Sequence, residues 1–147
     1  MVLILATFLV VLYMSHSARN INLKDLEKRL ISKTDISEMN KCGDKELKKF
    51  IGINPSDIDS FIYYKSKEAL GVDEILIIKL KNQNNATEYI DTIDKRVSSQ
   101  IKVFQSYGPK QVKLLKNSLI KEKGNYIFYA TCKDISQYEE VFIDAVQ

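Results

Sequence analysis

The chain has one histidine, two cysteines, two prolines, five glycines and no tryptophan among its 147 residues, and most of these scarcities close off a class of function. The single histidine, His16, lies in or beside an apolar N-terminal run, so neither a Cys-His pair nor a Ser-His-Asp arrangement is available to the folded part. No cysteine and histidine spacing fits a zinc site, and two cysteines do not make a disulfide framework. No glycine-rich loop is present to cradle phosphate. No metal or cofactor is therefore implied. With 45% hydrophobic and 28% charged residues, the composition is that of a folding chain, far from the polar, proline-rich composition of disorder. The length suits one core that buries about two thirds of the unfolded surface.

What the chain does have is an apolar run at its start. Residues 1–14 read MVLILATFLVVLYM, with Thr7 the only ordinary polar residue, and the polar stretch SHSARN follows at once. Fourteen helical residues span about 21 Å, short of the roughly 30 Å hydrocarbon core, which fits a secretory signal core or a marginal anchor ending near Ala18. Ser15 and Ser17 have the spacing of a cleavage site before Ala18. No basic residue precedes the run, while Arg19, Lys24, Lys28 and Arg29 follow it, an arrangement that by itself would hold the rest of the chain in the cytoplasm. The expectation is nevertheless a domain outside the cell membrane. The division expected is a signal-like or anchor segment over 1–18, a membrane-proximal helix and linker over 19–43, and an α+β domain over 44–147.

The periodicity predicts two short amphipathic helices, one capped by Asn22 and carrying Leu23, Leu26 and Leu30, the other starting at Asp44. Asn54-Pro55-Ser56-Asp57 is a turn, followed by strands over Phe61–Lys65 and Glu74–Lys81. Apolar residues on both faces of the second strand make it central. The longest helix is expected over Ala86–Tyr107, with Ile90, Ile93, Val97, Ile101 and Phe104 as its buried stripe, ended by Gly108-Pro109. Ile77 and Val97 should meet across the strand and helix contact. A helical turn around Val112 and Leu115, strands over Leu119–Lys123 and Tyr126–Cys132, and a helix over Asp134–Gln147 complete the order. A strand pair followed by a helix thus occurs twice, which predicts an antiparallel four-stranded sheet from two ββα units, its helices mainly on one face, preceded by an apolar N-terminal helix.

The two cysteines are compatible with a disulfide in an oxidising compartment, but Cys132 falls in phase with Tyr126, Phe128 and Ala130 and reads as an inert buried thiol, while Cys42, between Lys41 and Gly43, reads as exposed. Neighbouring carboxylates such as Asp57 and Asp59, or Asp73 and Glu74, flank strands and turns and read as capping and solubility groups. Charge is uneven along the chain: 8 basic and 1 acidic residues over 95–123 give +7, against −1 over 19–94 and −3 over 124–147. Lys110, Lys113 and Lys116 are the candidate contacts to an anionic surface, either anionic lipid or an envelope polymer. No nucleic-acid motif accompanies them, so nucleic acid is not the expected partner. Solvated lysines on a helix and its following turn are the ordinary alternative.

Arg96, Gln100, Phe104, Tyr107 and Pro109 form the pattern R-x3-Q-x3-F-x2-Y-x-P, in which four of the five fall on one helical line. Arg96, Gln100 and Tyr107 are the candidate polar cluster, either contacting a ligand or tying down a strand end or the loop after Pro109. Together with GINPSD over 52–57, EILIIK over 74–79 and Gly124-Asn125-Tyr126, this pattern resembles the bacterial family named domain of unknown function 4358, over about Leu47 to Val146. The resemblance implies small envelope proteins of mostly Gram-positive, anaerobic bacteria, commonly with a lipoprotein signal and without an established activity. This chain has no cysteine directly after its apolar run, so a lipid anchor is not supported by its residues. The reading that results is a noncatalytic, membrane-tethered or secreted binding module of the cell envelope, bound to membrane through its N-terminal segment. The alternative is a small extracytoplasmic enzyme using Arg96, Tyr107 and a carboxylate.

Overall fold

The computed structural model describes residues 2–147, apart from the side chains of residues 14–16. The expectations for His16 and for Ser15 as part of a cleavage site therefore fall on side chains outside the described ones. The first element, α1 (Val2–His16), contains neither glycine nor proline, and residues 2–13 are all exposed. Residues 17–22 then lead to α2 (Leu23–Lys33), whose first turn is closed by the Asn22 side chain accepting from the Lys24 N–H at 2.9 Å. Leu23, Leu26 and Leu30 are its buried face.

A 3₁₀ turn over Ile36–Glu38 precedes the two-residue strand β1 (Asn40–Lys41) and the single helical turn α3 (Asp44–Glu46). The chain then widens into a π-helical turn, Leu47–Ile51, closed by the Gly52 N–H donating to the Leu47 carbonyl at 3.1 Å. Gly52 sits at φ 88°, a conformation that favours glycine. The strands β2 (Ser60–Lys65) and β3 (Glu74–Lys79) follow, then α4 (Ala86–Phe104) and α5 (Pro109–Lys116), with Pro109 in the first turn of α5 where its missing N–H costs nothing. The chain closes with β4 (Leu119–Lys123), β5 (Tyr126–Thr131) and α6 (Ile135–Val146).

All five strands form one antiparallel sheet in the order β1-β2-β3-β5-β4. The expected sheet had four; β1 is the fifth, added at the β2 edge through the pairs Asn40↔Lys65 and Lys41↔Tyr64. Two residues carry no periodicity, so pairing and not propensity makes this strand. The two ββα units are present as β2-β3-α4 and β4-β5-α6.

The helices cover both faces, which corrects the expectation that they lie mainly on one. Ile62, Tyr64, Ile75, Ile77, Tyr126, Phe128 and Ala130 turn toward α2 and α6, where they meet Leu26, Leu30, Phe142 and Val146. The alternate residues Tyr63, Leu76, Ile78, Ile127 and Tyr129 turn toward α4, α5 and the π-helical turn, meeting Ile93, Val97, Phe104, Leu115 and Leu47. The physical reason is the period of two along a strand: a run such as Ile75-Leu76-Ile77-Ile78 exposes apolar surface on both sides, and each side needs its own cover. Ile77 and Val97 consequently lie on opposite sides of the sheet, and it is Leu76 and Ile78 that share a layer with Val97.

The segment between α1 and α2 is bound tightly to one end of the sheet. The Arg19 N–H donates to the Val146 carbonyl at 2.6 Å, and the Tyr126 hydroxyl accepts from the Ile21 N–H at 2.9 Å and donates to the Arg19 carbonyl at 3.0 Å. Lys79 Nζ donates to the Asn20 side-chain oxygen at 2.6 Å and to the Ile21 carbonyl at 2.9 Å. A Cβ added to Gly124 would come within 2.5 Å of the Ala18 Cβ, so the β4-β5 turn needs glycine both for this approach and for its φ of 58°.

Candidate functional site

The polar centre of the domain is Glu74, at the head of β3. It is 1% exposed, so its position contradicts the reading of the Asp73 and Glu74 pair as solubility groups. Period two places Glu74 on the same face as Leu76 and Ile78, and this face lies under α4. Arg96 on α4 reaches down to it, with Nη2 2.7 Å from Oε1 and Nε 3.4 Å from Oε2, a two-pronged grip that a guanidinium makes and an ammonium cannot. The Tyr63 hydroxyl on β2 donates to Oε1 at 2.8 Å, and the Tyr129 hydroxyl on β5 donates to Oε2 at 3.0 Å. Thr131 in turn donates to the Tyr129 oxygen at 2.9 Å, and Lys65 Nζ stands 3.6 Å from Oε1. Three neighbouring strands and one helix thus converge on a single carboxylate.

Phe50, presented by the π-helical turn, covers the two cations. Its ring centroid lies 4.3 Å from Lys65 Nζ and 5.7 Å from the Arg96 guanidinium carbon. Burial and then the negative charge of Glu74 push the phenols of Tyr63 and Tyr129 well above the ordinary tyrosine range. Burial opposes the charge on Arg96, but the hydrogen bond and charge of Glu74 outweigh it and raise the guanidinium above its ordinary value. The Glu74 carboxylate is thus engaged on both oxygens, by Arg96 and Tyr63 on one side and by Arg96 and Tyr129 on the other. Such a cluster fixes packing.

Of the three residues expected to form a polar cluster, Arg96 alone reaches this centre. Gln100 is half-buried one turn further along α4. Tyr107 lies beyond the end of α4, is 58% exposed, and packs against Phe104 with ring centroids 5.4 Å apart. The alternative in which Arg96 ties down a strand end describes its geometry. Sequence reasoning missed Glu74, Tyr63 and Tyr129 as its partners. The signal was present: a charged residue in phase with Leu76 and Ile78 on a central strand must find a cation.

Cys42, expected to be exposed, is 8% exposed: its N–H donates to the Tyr63 carbonyl at 2.8 Å, which draws it under the sheet edge. Both cysteines are free, and they belong to the cores on opposite faces of the sheet. Burial pushes the Cys132 thiol up to about 12. Among the described residues no group of histidine, cysteine and carboxylate side chains could hold a metal ion.

Lys110, Lys113 and Lys116 are all exposed on α5. At 3.6 residues per turn, positions three apart advance by 300°, so the three cover an arc of about 120° centred on Lys113, opposite buried Leu115. None of them takes part in the ion pairs found among the described residues. Lys113 and Lys116 stand in the last turn of α5, where a cation complements the helix dipole, whereas Lys110 stands at the opposite, positive end. Lys110 and Lys113 also line a groove of about 600 Å³ shared with Lys133 and Asp134, between α5 and the start of α6.

Comparison with known proteins found no curated protein and no solved structure that matches this chain. A family model does match, over residues 32–132, from the last two residues of α2 to the residue after β5, and this span is more than half of the chain. It contains the Glu74 cluster, the R-x3-Q-x3-F-x2-Y-x-P pattern and all five strands, and on this match the chain belongs to the family described as Domain of unknown function (DUF4358).

Proposed function

We propose that the chain is a noncatalytic binding module of the bacterial cell envelope, held at a membrane by α1 with its α+β domain outside the cell. The observation that carries the tether is the surface of α1: ten large hydrophobic side chains between Val2 and Tyr13 are exposed to solvent. A contiguous apolar surface of this kind marks a contact with lipid or protein, since soluble monomers rarely leave one uncovered. Among the described residues no helix is long and apolar enough to cross a membrane, and the 15 residues of α1 extend only about 22 Å. The proposal is attachment through this apolar surface. The outward orientation rests on the envelope character that the family resemblance implies.

Support for a noncatalytic role comes from the Glu74 cluster, whose groups are all engaged with one another. An enzyme built on Arg96, Tyr107 and a carboxylate would need Arg96 released from Glu74 and brought to Tyr107, eleven positions further along the chain. Fractionation of cells together with labelling by a membrane-impermeant amine reagent tests the reading. The expected result is a membrane-bound chain whose exposed domain lysines react on intact cells. Domain lysines that react only after lysis overturn the outward orientation, and recovery of the intact chain in the soluble fraction overturns the tether.

A further inference from the structure

The lysines of α5 stand at the end of the sheet opposite to the tether. The segment after α1 docks where Gly124, Tyr126 and Lys79 lie, and the register pairs Tyr126 with both Lys79 and Lys123 at this end. The groove beneath Lys110 and Lys113 includes Cys132 and Lys133, just past the other end of β5, and α5 leads into β4 where Leu119 pairs with Ala130. From Tyr126 to Cys132 the strand advances about 20 Å. Residues 2–13 of α1 are exposed, and Tyr13, near the end of that helix, lines a cavity with Gly124 and Asn125 at the tether end.

This distance decides between the two anionic partners. Charge on a surface is screened over about 8 Å at physiological ionic strength, so headgroups gathered at the point of attachment act on α5 across more than two screening lengths. A flexible anionic polymer lying outside the membrane has no such constraint. We infer that the exposed face of α5 with its adjoining groove is a docking surface for an anionic polymer of the envelope, and that lipid headgroups are not its partner. This inference rests on the tethered reading. Along α5 the lysines rise about 4.5 Å from one to the next, so the strip is extended enough to meet successive charges of a chain and not one isolated anion. The groove's ionisable lining, three lysines against Asp134, carries a net charge of +2 (3 − 1) and widens the strip toward α6.

The test uses the full chain in phosphatidylcholine vesicles, with fluorescently labelled poly(glycerol phosphate) as the polymer probe and phosphatidylglycerol-containing vesicles as the lipid probe. Two variants are compared: Lys110→Gln/Lys113→Gln/Lys116→Gln, and the control Lys24→Gln/Lys28→Gln/Lys33→Gln, which removes the same charge from exposed positions of α2. The expected result is polymer binding that weakens with salt, falls by about tenfold or more in the α5 variant, and changes by no more than about twofold in the control. Equal losses in both variants reduce the effect to net charge and overturn the inference, as does absence of polymer binding. Attraction to phosphatidylglycerol that depends on the α5 lysines overturns it in favour of lipid. Failure of the chain to float with phosphatidylcholine vesicles counts against the tether alone, because fluorescence anisotropy still scores the polymer without vesicles.

Discussion

Arg96 closes on Glu74 from the helix layer above the sheet, Nη2 to Oε1 at 2.7 Å, and the carboxylate it neutralises has almost no access to water. Removing one member of such a pair leaves the other charge buried without compensation, which costs about 3 to 5 kcal/mol, whereas removing both together costs far less. Arg96→Met is therefore expected to lower the stability measured by urea denaturation by an amount in this range. The double variant Arg96→Met/Glu74→Gln should recover a substantial part of the loss. A double variant that merely sums the two single losses would show that the two residues act independently.

The two faces of the sheet make a second expectation specific. Ile77→Ala should cost about 2 to 5 kcal/mol and Val97→Ala somewhat less, because a smaller side chain is removed. Since they lie on opposite faces, their effects should add within about 0.5 kcal/mol, while Ile77→Ala and Phe128→Leu, directly opposed across β3 and β5, should show coupling beyond that limit. Additivity for the second pair and coupling for the first would reverse the assignment of faces.

Much of this architecture was legible in the residues. The EILIIK run marked β3 as central, Asn22 marked the start of α2, and the stripe Ile93, Val97 and Phe104 marked the buried side of α4. Each is a local pattern that one element's period expresses. The cover on both faces was missed by the expectation of helices mainly on one, although the apolar run in β3 that makes it central also requires two layers of helices. What stayed hidden depends on pairing at a distance. β1 exists because β2 offers it an edge, and Arg96 meets Glu74 across 22 positions that no motif links. For the α5 lysines the sequence supplied their spacing, but only the docking of residues 17–22 at the far sheet end shows which way they face.

Alkaline pH should destabilise the domain over a defined window. Burial pushes Cys132 from 9.0 up to about 12 and Tyr138 from 10.0 up to about 12. Between pH 9 and 12 the unfolded chain therefore binds fewer protons than the native one, and stability falls as pH rises. Urea midpoints measured through this range should decline, with a shallower decline in Cys132→Ala. By the same burial both thiols should resist a thiol-labelling reagent at neutral pH in the native protein and react on unfolding. Rapid native labelling of Cys132 would contradict its burial.

At the junction, Tyr126→Phe removes the group that serves both the Ile21 N–H and the Arg19 carbonyl. The expected stability loss is about 1 kcal/mol. The diagnostic readout is local: amide hydrogen exchange should accelerate at residues 19–22 while the amides of β3 and β5 keep their protection. Unchanged exchange at Ile21 would show that the phenol does not hold this segment.

The same junction leaves no slack between residues 18–21 and the domain. A flexible linker would let the domain swing and would absorb a sideways pull as chain entropy. Here the backbone of Arg19 and Ile21 and the side chain of Asn20 are bonded to β5, β3 and the end of α6, and Gly124 admits Ala18 at contact distance. A force applied at α5 is thus delivered through the sheet to residues 18–21, about 20 Å away along β5. The place where the chain enters the domain is thus fixed at one end of β5, and α5 lies at the other.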